Sequence, residues 1–185
     1  MDNKATFKIK SAFFLGAALW LVVCLASGAT LRAASGKDVM SQAPGLINAY
    51  LYFAAPGGTH LKAVSKQFAS GMDTHKLCRA LLEALMAGPL TSDVKRIFPE
   101  STRVNALFIT ANNDAYVDLK IDGDTIGPTD TITEYLGVYS LVNSLTVNIP
   151  QIRRVKILMN GSEAVSLGGH ISLDTFFETN MLIVK

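Results

Sequence analysis

The sequence predicts an α/β fold: a two-layer sandwich, a mixed β-sheet with two main helices on one face, plus an N-terminal hydrophobic helix. Two observations predict the sandwich. Residues from Asp73 to Pro89 read as an amphipathic helix with a written start and stop, and a second helical pattern opens at Thr131; short runs of period-two alternation flank both. A third observation predicts the leading helix. From Ser11 to Leu31 there are 21 residues without a charge, preceded by Lys4, Lys8 and Lys10.

That uncharged run would rise about 31 Å as a helix, enough to span the hydrocarbon core of a bilayer. The lysines before it favour a cytoplasmic basic N-terminus over residues 1–10 and an exported remainder. Residues 11–32 are therefore a transmembrane anchor or a signal peptide, with Ser27-Gly28-Ala29 supplying the small residues a signal peptidase prefers. Either reading places the rest outside the cytoplasm: on a single-pass tether at the cytoplasmic membrane, or secreted or periplasmic after cleavage. Leu21-Val22-Val23-Cys24 offers a weaker lipid-attachment pattern, because Val23 stands where a small residue is usual. Residues 33–45 are small, polar and broken by Gly and Pro, a linker to the domain expected over 46–185.

Leu46 to Phe53 is the first expected strand, with Ile47, Ala49, Leu51 and Phe53 on one side and Asn48, Tyr50 and Tyr52 on the other. Leu61 to Phe68 is a shorter candidate near the sheet edge. In the first helix Asp73 is the expected N-cap, and Leu77, Leu81 and Leu85 repeat every four residues beside Cys78, Leu82 and Met86. Lys76, Arg79 and Glu83 mark its wet side, and Gly88-Pro89 ends it. Arg103 to Thr110, a reversal at Asn112-Asn113-Asp114 and Ala115 to Leu119 form the clearest hairpin. Thr131 and Glu134 have the spacing of a capping box for the second helix, whose apolar contacts are Ile132, Leu136, Tyr139, Val142 and Leu145. Val155, Ile157 and Met159 alternate with Arg154, Lys156 and Leu158 in a late strand that Asn160-Gly161 turns back toward Ala164 to Leu167. Phe176, Phe177 and Met181 to Val184 are left to cover an apolar edge.

Composition narrows the function classes. With 49% hydrophobic and 17% charged residues the chain can bury a sizeable core. Of its 17 basic and 15 acidic residues, five basic and one acidic fall in the first 37, so the remainder carries 12 and 14. Nearly neutral, that remainder is a poor match for a nucleic-acid backbone. Arg153, Arg154 and Lys156 are its only dense basic group and read as a solvated strand edge.

Four stretches, in order, resemble the GerMN domain of sporulation and spore germination proteins: Tyr50-Leu51-Tyr52-Phe53; Leu82 to Pro89, ending in Gly-Pro; Ala115 to Leu119; and Glu134 through Val142-Asn143-Ser144-Leu145, followed by Val155 to Gly161. The resemblance covers about residues 46–175. Ser144 stands where that family more often has Thr, and Gly168-Gly169-His170 lies outside its general pattern. It implies an extracytoplasmic, usually membrane-anchored bacterial module without catalytic activity, similar in fold to the ring-building motifs of secretion-like machines.

Chemical motifs point the same way. His60, His75, His170, Cys24 and Cys78 never fall at paired metal-ligand spacing, and Cys78 reads as a small core residue, with a disulfide between chains as its alternative. Asp122-Gly123-Asp124 invites calcium, yet Ile126 occupies a ligand place and Thr133 the twelfth position. No phosphate-binding Gly-Lys-Ser/Thr loop or Gly-x-Ser-x-Gly elbow occurs, so neither nucleotide nor other cofactor is expected. Asp118 and Glu134 are imaginable as paired carboxylates, but strand-end hydrogen bonding and helix capping account for them. Asn160-Gly161-Ser162 matches a glycosylation sequon and is first a hairpin turn. His170, behind two glycines, is the polar residue singled out, and a hydrogen bond at a turn is its plainer reading.

The expected function is a non-catalytic GerMN-like module that mediates protein–protein assembly in the cell envelope, self-assembly included. The alternative is a peptidoglycan or envelope-glycan binder that sets Tyr50, Tyr52, Tyr116 and Tyr135 on one face. A cell-wall hydrolase would need two carboxylates at catalytic separation, and no such pair stands out.

Overall fold

A computed structural model of the chain describes residues 45–122 and 129–185. The basic start, the 11–32 hydrophobic segment, nearly all of the 33–45 linker, and Gly123 and Asp124 of the calcium-like loop lie outside the described residues. Among the described residues no helix is long and apolar enough to cross a membrane.

The elements run β1 (Leu46–Ala54), β2 (Leu61–Ala69), α1 (Thr74–Ala87), β3 (Arg103–Ile109), β4 (Asp114–Lys120), α2 (Thr131–Thr146), β5 (Arg154–Met159) and β6 (Ser162–Glu163), closed by a 3-10 turn at Met181–Ile183. The fold is mixed α/β, but in place of one mixed sheet there are two. β1 and β2 form an antiparallel hairpin of their own, and the other sheet has the order β3-β4-β5-β6. In that sheet β4 pairs parallel with β5, with Asp114 opposite Arg154, while both outer pairs are antiparallel. The hairpin turns are those expected: Asn113 at φ 62° reverses β3 into β4, and Asn160 at φ 53° reverses β5 into β6.

The sheets are separate because a helix takes up the free edge of β1. In the β1–β2 register the N–H and C=O of Tyr50, Tyr52 and Ala54 point away from β2. Asn148 accepts from Tyr50 N at 2.8 Å and donates to Tyr50 O at 2.7 Å. Ser144 accepts from Tyr52 N at 3.1 Å, and Ser140 donates to Tyr52 O at 2.5 Å. Ala54 exchanges both of its bonds with Lys95, at 3.2 and 2.7 Å. Three side chains four residues apart, two on α2 and one just past it, thus do what a neighbouring strand would do.

One core joins both sheets and both helices. Ala49, Leu51 and Phe53 of β1 meet Cys78, Leu81, Leu82 and Leu85 of α1, Val138, Leu141, Val142 and Leu145 of α2, and the inward residues of β4 and β5. Tyr52 and Ala54, on the opposite face of β1, pack with Leu61 and Leu136 in a second, smaller cluster. β1 is therefore covered on both faces, which the run of buried residues from Leu51 to Ala55 records.

α1 begins and ends as expected, with the Asp73 carboxylate accepting from Lys76 N at 2.8 Å. Its C-terminus has a second device that the sequence does not announce. Arg96 donates to the carbonyls of Met86 and Ala87 at 2.7 and 2.5 Å, closing the helix end. Its guanidinium lies so close to Gly88 that a Cβ there would stand 2.6 Å from it, and Gly88 sits at φ +86°. The glycine of Gly-Pro thus serves both the backbone turn and the arginine.

Several expectations are corrected. α2 is capped by Asp130, which accepts from Thr133 N at 2.7 Å, so Thr131 is not its cap and no capping box forms. Ile132 is exposed and contributes nothing to the core. β5 lies between β4 and β6, so Arg154 and Lys156 are not on a free strand edge, while Arg153, just before the strand, is exposed as expected. Lys156 is buried, its ammonium 3.8 Å from Glu163. The return strand is Ser162–Glu163, shorter and earlier than Ala164 to Leu167. Phe177 covers β5 through a bridge to Val155, whereas Met181 and Leu182 are exposed.

Two stability measurements test these contacts. Ser144→Ala leaves the buried Tyr52 N–H without a partner and lowers stability by about 1–3 kcal/mol in urea unfolding. Gly88→Ala costs about 1–3 kcal/mol through a backbone at φ 86° and ψ 175° that glycine adopts almost alone; its Cβ also displaces the Arg96 guanidinium, and in a double-mutant cycle with Arg96→Ala that second part of the loss is not additive.

Candidate functional site

Two of the polar residues singled out in the sequence, Glu134 and His170, meet at the start of α2. Glu134 lies in its first turns, fully buried, and faces the loop after β6. Its Oε1 accepts from Leu167 N at 2.9 Å; its Oε2 accepts from His170 N at 2.7 Å and lies 3.0 Å from His170 Nδ1. The loop can wrap the carboxylate because of its glycines. A Cβ on Gly168 would stand 2.2 Å from Thr129 Cγ2, and Gly169 is at φ +102°. His170 thus lies at a turn and is hydrogen-bonded there, with its side chain 40% exposed against 0% for Glu134.

Electrostatics follow from that cradle. Burial raises the pKa of Glu134, but the N–H donors of the loop and the His170 ring outweigh it and hold the carboxyl below its ordinary value. His170 also lies near Asp130, whose carboxyl is lowered chiefly by its helix-capping bond to Thr133. The arrangement is an anion enclosed by backbone donors. What it does chemically is fasten the 167–170 loop to α2.

Asp118 and Glu134 do not work together. Asp118, buried on β4, accepts from Gly161 N at 2.9 Å and from the Asn105 amide, tying the β5–β6 turn to the bulge at Asn105 in β3. Asp114, at the start of β4, is held by Arg154 through two bonds of 2.8 and 2.9 Å, and its pKa is lowered first by those bonds. The Arg154 guanidinium lies 4.3 Å over Phe176, which packs edge-on against Tyr116.

The remaining candidates are dispersed. The His60 ring lies 3.0 Å from the Thr59 hydroxyl, and His75 reaches Leu107 O from α1 at 3.0 Å. Among the described residues no group of three His, Cys, Asp or Glu is placed to hold a metal. Cys78 is buried and its thiol is pushed up to about 12 by burial, which removes the surface a disulfide between chains needs. Of the four tyrosines, Tyr50 is exposed, Tyr52 is buried, Tyr116 lies under Phe176, and Tyr135 stacks on Tyr139 and accepts from Asn180. With Tyr52 in the core they make no common groove.

The Glu134 cradle sets a pH dependence. Because the folded carboxyl titrates below its unfolded value of about 4.3, its contribution is complete above that pH and is lost as acidification passes through the lower folded pKa. Urea unfolding of Glu134→Gln between pH 7 and pH 3 should show a shallower acid loss than the parent chain.

Comparison with known proteins agrees with this geometry. A family model described as Germane, sporulation and spore germination, matches residues 50–165. The tandem GerMN domains of the sporulation protein GerM from Bacillus subtilis superpose with a TM-score of 0.56 at 24% identity, over 71% of this chain and 46% of theirs. The first of those domains alone gives 0.52 at 23% identity, over 70% and 97%. A crystal structure of a candidate lipoprotein from Clostridium perfringens gives 0.52 at 22% identity, over 72% and 88%. At these identities the structures speak for the fold. Among curated proteins there is no match. The family model spans more than half of the chain and takes in both helices with the strands around them, and the chain belongs to the Germane family of sporulation and spore germination domains.

Proposed function

We propose that this domain is a non-catalytic assembly module of the bacterial cell envelope, held at the outer face of the cytoplasmic membrane by residues 11–32 and acting through contacts with envelope or membrane proteins. One observation carries the reading: the acidic groups a reaction would recruit are engaged in holding the fold. Glu134 is occupied by loop N–H groups and His170, Asp118 by Gly161 and Asn105, and Asp114 by Arg154. Membership of the Germane family supports a role in sporulation or germination, and the charge-free run behind Lys4, Lys8 and Lys10 supports the tether.

Photocrosslinking of the full chain in native membranes, read by mass spectrometry, tests the assembly. Discrete crosslinks to other envelope proteins are expected, together with detergent-dependent release from the membrane fraction. Retention of the chain on sedimented peptidoglycan, without such crosslinks, would favour a glycan binder instead. Substrate turnover that disappears in Glu134→Gln would overturn the non-catalytic reading.

A further inference from the structure

The two edges of the β1–β2 hairpin are treated differently. The β1 edge is sealed by α2, whereas on β2 the N–H and C=O of Ala63, Ser65 and Gln67 point outward, and all three residues are exposed. Among the described residues nothing pairs with these six groups. At the start of the strand an extended segment already sits on this edge: Val184 bridges Leu61 in parallel, and Lys185 N donates to Leu61 O at 3.0 Å. Beyond Leu61 the edge continues open among the described residues.

Beside it lies an apolar groove of about 170 Å³ between the hairpin and the turn after α1, lined by Leu51, Phe53, Val64, Pro89 and Leu90, with Leu90 93% exposed. Lys66 is the charged residue in its wall. Val64 and Lys66 are two apart on β2 and therefore share the face that carries the groove. A strand added along β2 would set one side chain beside Val64, in the groove, and the side chain two residues away beside Lys66.

We infer that β2 is a docking edge for an extended segment of a partner protein, which adds a strand along Ala63–Gln67, places an apolar side chain in the Leu51–Val64–Leu90 groove and pairs a carboxylate two residues away with Lys66. This rests on the assembly reading above and names the surface it uses. Backbone pairing supplies affinity in such a mode, and the pockets for alternate side chains supply selectivity. A second copy of the same strand is a poor occupant. Antiparallel pairing of two β2 edges about Ser65 brings the Lys62 and Lys66 side chains of both copies onto one short strand pair, a like-charge arrangement in which Lys62 has Asp93 beside it and Lys66 has no ion pair among the described residues. A segment bearing a carboxylate reverses that sign.

The test uses the full chain in detergent and a labelled, capped seven-residue peptide that alternates threonine with valine and carries one glutamate two positions from a valine. Fluorescence anisotropy should show saturable binding. Ser65→Pro, which removes an N–H not needed by β1, and Lys66→Glu should each weaken it at least tenfold. The peptide with lysine in place of glutamate should recover binding to Lys66→Glu. Equal affinity for parent, Ser65→Pro and Lys66→Glu, or absence of saturable binding to the parent, would overturn the proposal. So would self-association of the parent in sedimentation velocity that Ser65→Pro abolishes, since the edge would then serve a second copy. Should membrane crosslinks to envelope proteins persist unchanged in Ser65→Pro, the assembly reading stands and the β2 edge is not its surface.

Discussion

The fold depends on how the outward edge of β1 is satisfied. A strand with both faces buried cannot leave its N–H and C=O groups unpaired, since each would carry a desolvation penalty of about 1–3 kcal/mol. A helix offers no free backbone along its length, so side chains must supply the partners. The geometry permits this because four residues of helix rise about 6 Å, close to the roughly 6.6 Å that two residues of strand advance. Ser140, Ser144 and Asn148 therefore keep step with Tyr52 and Tyr50, and small hydroxyl and amide groups are the right length to reach. On the other side of the same helix Asn143 does likewise for the C-terminal segment, exchanging two bonds with the backbone of Asn180 at 2.8 and 2.9 Å.

This explains what was legible in the sequence and what was not. Features written within a few residues of one another are read correctly: the Asp73 cap, the Gly88 stop, and the reversals at Asn113 and Asn160. The separation into two sheets depends on partners 88 to 98 residues apart, and no local pattern encodes it. The apolar contacts expected of α2 leave out Ser140, Asn143 and Ser144, which are buried because they hydrogen-bond to other segments. Glu134 shows how a spacing rule fails by one position. With Asp130 as the cap, Glu134 falls one residue beyond the place from which a capping box reaches back, and it turns instead toward the loop at 167–170. Lys156 is buried where a solvated place is expected, because alternation assigns a face and not its depth. Arg96 carried no signal at all, since capping a helix nine and ten residues upstream leaves no periodic trace.

The Glu134 cradle illustrates why a buried acid beside a histidine need not be a reacting pair. Here both oxygens already accept hydrogen bonds from the protein, and the carboxyl is held toward its charged form, the form that backbone donors require. Gly168 completes the reasoning: its lack of a side chain lets the loop approach Thr129 and close over the acid, leaving His170 as the half-exposed rim. The sequence signal was the glycine pair before a histidine, and its meaning became visible only once α2 was known to pass beneath it.

The lysines on β2 bear on how an exposed strand edge is kept from indiscriminate pairing. An edge whose outward groups from Ala63 to Gln67 have no partner among the described residues invites pairing with an extended chain. Lys62 is partly occupied by Asp93 at 3.4 Å, which leaves Lys66 as the charge standing over the groove. A cation there discourages a second β2 and any uncharged hydrophobic strand, because burying Lys66 without an opposite charge is unfavourable. The penalty disappears for a strand that brings a carboxylate to that position. In the proposed docking, one residue would separate permitted from forbidden occupants: the side chain that opposes self-pairing of the edge would also select what is admitted to it.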